Sequence, residues 1–120
     1  MTKEEVVDFV RSCDVGFAQG RDKAEPSVRF YGATNRNLSL NFHCRDLGGR
    51  LRADFVFTGR ETKESNVEDA NAFMRLFGGE RGRLYDADFT VFVRLEPALA
   101  EATWLRRVIQ AYWASTARFA

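Results

Sequence analysis

Proline is scarce, at two residues in 120, and the nine glycines form no run longer than a pair. Linkers rich in either residue are therefore absent, and so is a collagen-like repeat. No apolar stretch approaches the ~18 residues that a membrane-crossing helix needs. The opening Met1-Thr2-Lys3-Glu4-Glu5 is charged and lacks the apolar core of an export signal. A cytoplasmic protein without a membrane span is expected. Cysteine and histidine are also few: Cys13, Cys44 and His43 are the whole set. Their spacing builds no structural zinc site, and no motif asks for a cofactor. Both thiols read as small buried hydrophobes rather than as a disulfide.

A large excess of one charge is missing too. Lys and Arg number 18 against 17 Asp and Glu, for a net charge of +1, well below the positive surplus of most nucleic-acid binders. The balance is uneven along the chain. Residues 25–60 sum to +3 through their arginines, and residues 61–80 sum to −3. What is present is ample apolar material, 45% of residues, beside 29% charged ones. That is enough for one ordinary core, and a single domain over residues 1–120 is expected.

The hydrophobic period changes along the chain. Val6, Val7, Val10 and Cys13 recur at helical steps, with Thr2 as the N-cap, so a helix is predicted over 3–13. A period of two then holds through three segments. Val28 and Phe30 alternate with Arg29 and Tyr31. Leu38, Leu40, Phe42 and Cys44 alternate with Asn37, Ser39, Asn41 and His43. Leu51, Ala53, Phe55 and Phe57 oppose Arg52, Asp54, Val56 and Thr58. These are the marks of half-buried antiparallel strands over 27–32, 36–45 and 50–58. Helical spacing returns at 66–77 through Val67, Ala70, Asn71, Met74 and Phe77. Ser65 or Asn66 is the predicted cap, and Gly78-Gly79 the stop. Strands are predicted over 81–86 and 89–96, the second presenting Phe92 and Arg94 on its polar side. A last helix runs from about Leu99 to Phe119, with an apolar stripe of Leu105, Val108, Ile109, Tyr112, Thr116 and Phe119. At about 1.5 Å per residue it spans roughly 30 Å, enough to roof a sheet.

The expected fold is therefore a two-layer α+β domain of order α-β-β-β-α-β-β-α. A five-stranded antiparallel sheet packs one face on helices. Its other face carries Arg29, Tyr31, Asn37, Ser39, Asn41, His43, Arg52, Asp54, Phe92 and Arg94. That face is expected to be solvated or to meet a partner.

No catalytic motif stands out. Gly48-Gly49 and Gly78-Gly79 lack the Lys-Ser/Thr and helix start of a phosphate loop. Asp86 and Asp88 flank a turn. His43 and Asp54 could face each other on adjacent strands as half of a general-base pair, but no nucleophile joins them. An open sheet with arginines around Tyr31 and Phe92 could hold single-stranded nucleic acid, although the near-neutral total charge disfavours it. Aromatic residues and arginine are also what protein interfaces use as anchors. The candidate partner-contact residues are Tyr31, Arg52, Phe92, Arg94, Trp104 and Trp113. The two tryptophans, with Tyr112, sit on a helix flank suited to dimerisation, or else they complete the core.

Several segments carry a resemblance. They are Val67-Glu68-Asp69-Ala70-Asn71-Ala72-Phe73, Gly82-Arg83-Leu84-Tyr85, and a closing helix with Trp104, Trp113 and Phe119. Phe42-His43-Cys44-Arg45-Asp46 leading to Phe55-Val56-Phe57 is compatible with them. Together, over residues 27–119, the chain resembles the YbjN family of bacterial proteins described as sensory transduction regulators. It departs at Pro97-Ala98-Leu99, where that family often has a Gly-Gly turn. The resemblance implies a fold similar to the type III secretion chaperones, homodimers that bind partner segments. It implies a non-enzymatic regulatory or chaperone-like binder of a protein or client peptide, and it transfers no catalytic residue. The two alternatives are a nucleic-acid binder using the arginine-rich sheet face and a small-molecule binder around His43 and Asp54.

Overall fold

Thr2 opens the first helix with a reciprocal cap. In the computed structural model, which describes residues 2–20, 27–33, 37–44, 49–79, 82–87 and 90–116, the Glu5 N–H donates to Thr2 Oγ1 at 3.1 Å. The Glu5 carboxylate accepts from the Thr2 N–H in return, at 3.3 Å. Helix α1, Lys3–Ser12, buries Val6, Val7, Phe9 and Val10. The chain then forms β1 (Phe17–Gln19), β2 (Ser27–Gly32), β3 (Leu38–His43) and β4 (Arg52–Phe57). Helix α2 (Lys63–Phe77), β5 (Arg83–Ala87) and β6 (Thr90–Leu95) follow. A 3-10 turn at Leu99–Glu101 leads into α3, Ala102–Thr116.

The sheet has six strands, not the five expected, in the order β1-β2-β3-β4-β6-β5, and every pair is antiparallel. The additional strand is β1, which pairs Ala18 with Tyr31 at the sheet edge. Three residues are too few for a two-residue period to show, and Gly16 just before them read as a helix stop. The expected strand ends at Arg36, Arg45, Arg81 and Phe89, and the helix end at Phe119, lie outside the described residues.

Alternation places one face of the sheet in the core. Leu40, Ala53, Phe55 and Val93 are fully buried, and Phe30, Phe42 and Leu95 nearly so. All three helices place buried residues against this face, α3 among them. Helix α2 begins a turn earlier than predicted. Thr62 is its cap, its Oγ1 accepting from the Ser65 N–H at 3.1 Å, while Asn66 instead accepts from the Arg60 N–H. Its anchor is Phe73, which the predicted stripe omitted. The Phe73 ring sits 5.0 Å from Phe55 and 5.4 Å from Phe57, centroid to centroid. Asn71, Val67, Met74 and Phe77 are only half-buried around it. The Gly78-Gly79 stop is as expected, with Gly79 taking the left-handed conformation, φ +51.

Helix α3 buries Leu105, Val108, Ile109 and Tyr112. Tyr112 is entirely enclosed, which removes it from any dimer flank. Trp104 and Trp113 are half-buried and packed against the core. The Trp113 ring meets Phe17 edge-on at 5.2 Å and covers Gly16 so closely that a Cβ there would lie 2.6 Å from it. Both tryptophans therefore extend the core, and Trp113 pins β1. Cys13 is buried and Cys44 half-buried. Burial pushes the Cys13 thiol above its ordinary range, with Arg106 pulling the other way. No helix among the described residues is long and apolar enough to cross a membrane.

Candidate functional site

The second face of the sheet is built by the same alternation, and strand register arranges its residues in rows. Across β1, β2, β3, β4, β6 and β5, one row runs Ala18, Tyr31, Ser39, Val56, Phe92 and Tyr85. The adjacent row runs Arg29, Asn41, Asp54, Arg94 and Arg83 from β2 to β5. A third holds Ser27, His43 and Arg52. No described helix places its buried residues on this side.

The first row is a shallow trough. Its floor, Ser39 and Val56, is buried at 9% and 8% exposure, although both side chains point away from the core. Its walls are the rings of Tyr31 and Phe92, three strand spacings or roughly 14 Å apart. The face was expected to be solvated or to meet a partner; its central positions, Ser39 and Val56, are buried, with Tyr31 and Phe92 half-buried on either side.

Arg94 and Asp54 form a two-pronged ion pair across β4 and β6. Nε donates to Oδ1 at 2.9 Å and Nη2 to Oδ2 at 3.2 Å. The hydrogen bond to Asp54 holds the Arg94 guanidinium above its already high ordinary range, against partial desolvation. That guanidinium lies 4.6 Å from the Tyr85 ring centroid and 5.6 Å from that of Phe92. The two rings stack on each other at 5.1 Å and 13°. One face of each ring is thus already occupied. At the other wall, Arg29 donates from Nε to Asn41 Oδ1 and from Nη1 to the Tyr31 hydroxyl, both at 2.8 Å. Arg52 pairs with Glu96 at 3.5 Å, and Arg50 donates to the Glu96 carbonyl at 3.1 Å.

The expected residues therefore divide. Tyr31, Arg52, Phe92 and Arg94 share the outer face, whereas Trp104 and Trp113 belong to the helix layer. Phe92 is half-buried, and the exposed aromatic is its neighbour Tyr85, at 38%. Alternation through Arg83-Leu84-Tyr85 carried that signal, but β5 had first to be placed beside β6. His43 stands opposite Arg52, and Asp54 opposite Asn41. That puts His43 and Asp54 on a diagonal of about 7–8 Å, with the carboxylate already held by Arg94. Register thus sets the two side chains diagonally rather than directly across from each other.

Small recesses among the described residues include two of about 10 Å³ each, room for a single water, the first of which reaches Val56. One is bounded by Asn37, Thr58, Asn66 and Asp69, the other by Phe9, Leu51, Pro97 and Leu105. Among the described residues, no three His, Cys, Asp or Glu side chains are grouped to hold a metal ion. Comparison with protein-family models, with curated proteins and with solved structures finds no match to the chain.

Proposed function

We propose that the chain is a non-enzymatic protein-binding module of the YbjN type, regulatory or chaperone-like, that presents the outer face of its sheet to a protein partner or client peptide. The observation that carries this reading is the row Tyr31, Ser39, Val56, Phe92 and Tyr85. It is a nearly apolar band with aromatic ends, on a face that the helices leave bare, bordered by arginines. Aromatic anchors with arginine at the margin are the usual material of protein contacts. The order helix, three long strands, helix, two strands, helix agrees with the chaperone-like fold that the resemblance implies, with three-residue β1 added.

The same face favours protein over nucleic acid. Single strands bind by stacking bases on aromatic faces with a cation beside them, and here Tyr85 and Phe92 stack on each other while the cation beside them, Arg94, is held by Asp54. The homodimer, with half-buried Trp104 and Trp113 on its helix flank, stays within the proposal, and a solution mass measurement checks it.

A photo-crosslinking phenylalanine analogue placed in turn at positions 85 and 92, and at Asp8 and Glu68 on the helices, tests the reading in native cells. Discrete protein adducts from 85 and 92, but not from 8 and 68, are expected. Adducts only from the helix positions, or adducts removed by nuclease, would refute it.

A further inference from the structure

The outer face carries a charge pattern that narrows the partner. Among the described residues, Arg29, Arg50, Arg52, Arg83 and Arg94 stand on it and along its margin, against two carboxylates, Asp54 and Glu96. Both carboxylates are already engaged, Asp54 by Arg94 and Glu96 by Arg52. The hydrogen bonds of Arg29 go to neutral acceptors, the Asn41 amide and the Tyr31 phenol. Arg50, an exposed residue, donates to a main-chain carbonyl. Neither guanidinium has its charge balanced by these bonds.

Their positions are ordered relative to the trough. Along β4 and the residues before it, Val56, Asp54, Arg52 and Arg50 follow one another on one side at about 6.6 Å per step, so Arg50 lies roughly 20 Å from Val56. Arg29 is one step along from the trough row, in line with Asp54. An apolar floor at one end thus leads into a positive track of about six extended residues.

We infer that the occupant of this face is an acidic segment of a protein partner. It lies along β3 and β4, with one apolar or aromatic residue over Ser39 and Val56 and carboxylates toward Arg29 and Arg50. This rests on the protein-binding reading and adds the chemistry of the partner. Charge complementarity selects it: a basic segment would meet like charge at Arg29 and Arg50, at a cost in both affinity and association rate. The run Glu61, Glu64 and Glu68, exposed on and just before α2, makes a second copy of this chain the competing occupant. It would dock head to tail, a contact that does not close on itself.

The test is an amide chemical-shift titration of the full chain with two synthetic hexapeptides, each beginning with Phe and then alternating a charged residue with Ser. One carries Glu and the other Lys, and each is added to about 1 mM, the weak end of specific affinity. A uridine oligonucleotide forms a third arm. Shifts at Arg29, Ser39, Arg50 and Val56 with the Glu peptide alone are expected. They should weaken several-fold in R29Q/R50Q and as salt rises past a few tenths molar. Equal shifts from both peptides would overturn the acidic selectivity and leave the protein-binding reading standing. Silence from the Glu peptide would also overturn it. Stronger shifts with the oligonucleotide would overturn both readings. Concentration-dependent shifts joining this face to Glu64 and Glu68 without peptide would assign the site to a second copy and end the inference.

Discussion

The hydroxyl of Tyr112 reaches from the helix layer to the main chain of Ser39, 73 residues away in sequence. The Ser39 N–H donates to it at 3.1 Å, and its own proton faces the carbonyls of Ser39 at 2.9 Å and Val56 at 2.5 Å. Ser39 and Val56 are opposite each other in β3 and β4, and their side chains floor the outer trough. One buried phenol thus ties the seam between the central strands from below, under the surface assigned to the partner.

Replacing Tyr112 by Phe removes that tie while keeping the ring contacts with Phe55, Phe57 and Phe73. A loss of about 1–3 kcal/mol is expected, the cost of leaving buried main-chain groups short of a partner. Denaturant unfolding gives the loss, and faster hydrogen exchange at the Ser39 amide locates it.

The same phenol makes a pH prediction. Burial raises its pKa in the folded state well above the ordinary value, with the backbone hydrogen bonds at Ser39 and Val56 acting in the opposite direction. Above about pH 10 the unfolded chain releases this proton while the folded chain keeps it. Stability contributed by the group is therefore complete below pH 10 and falls as pH rises, by up to ~1.4 kcal/mol per pH unit. Between pH 10 and 11 wild type should lose more stability than Tyr112→Phe. Parallel slopes for the two proteins would contradict this.

Phe73 anchors α2 on Phe55, Phe57 and Tyr112. Phe73→Ala should cost about 3–5 kcal/mol, since the removed ring leaves a cavity in a packed core. Exchange protection should drop first along Lys63–Phe77, with β2 and β3 affected least.

Arg94 and Asp54 allow a double-mutant cycle. Each side chain is mostly shielded, at 21% and 17% exposure, so the pair is neither a free surface bridge nor a sealed one. Coupling of about 1–2 kcal/mol in urea unfolding is expected from Arg94→Ala, Asp54→Ala and the double variant. The Tyr85 and Phe92 rings should loosen only when Arg94 is absent.

Gly16→Ala tests the Trp113 contact. In open helix or loop positions this exchange is mild or favourable, but here the new methyl lands 2.6 Å from the indole. A loss of about 1–3 kcal/mol is expected, together with a shift in tryptophan emission as the ring is displaced. An unchanged spectrum and midpoint would show that Trp113 yields freely.

Alternation of apolar and polar residues at Val28 to Phe30, Leu38 to Phe42 and Val91 to Leu95 was enough to assign strands and their buried sides. Likewise Thr2, Val6 and Val10 were enough for the first helix. These features depend on neighbours within one or two turns of chain, and the side-chain period records them directly. Which strand lies beside which is a different matter, decided by packing between distant segments. Only the folded chain set β6 between β4 and β5, and thereby brought Tyr85 to Phe92 and Arg94 to Asp54. Only it chose Phe73 over Asn71 as the face of α2, because Phe55 and Phe57 were waiting below. Periodicity fixes which way each side chain points; register, a long-range choice made by the core as a whole, fixes what it meets.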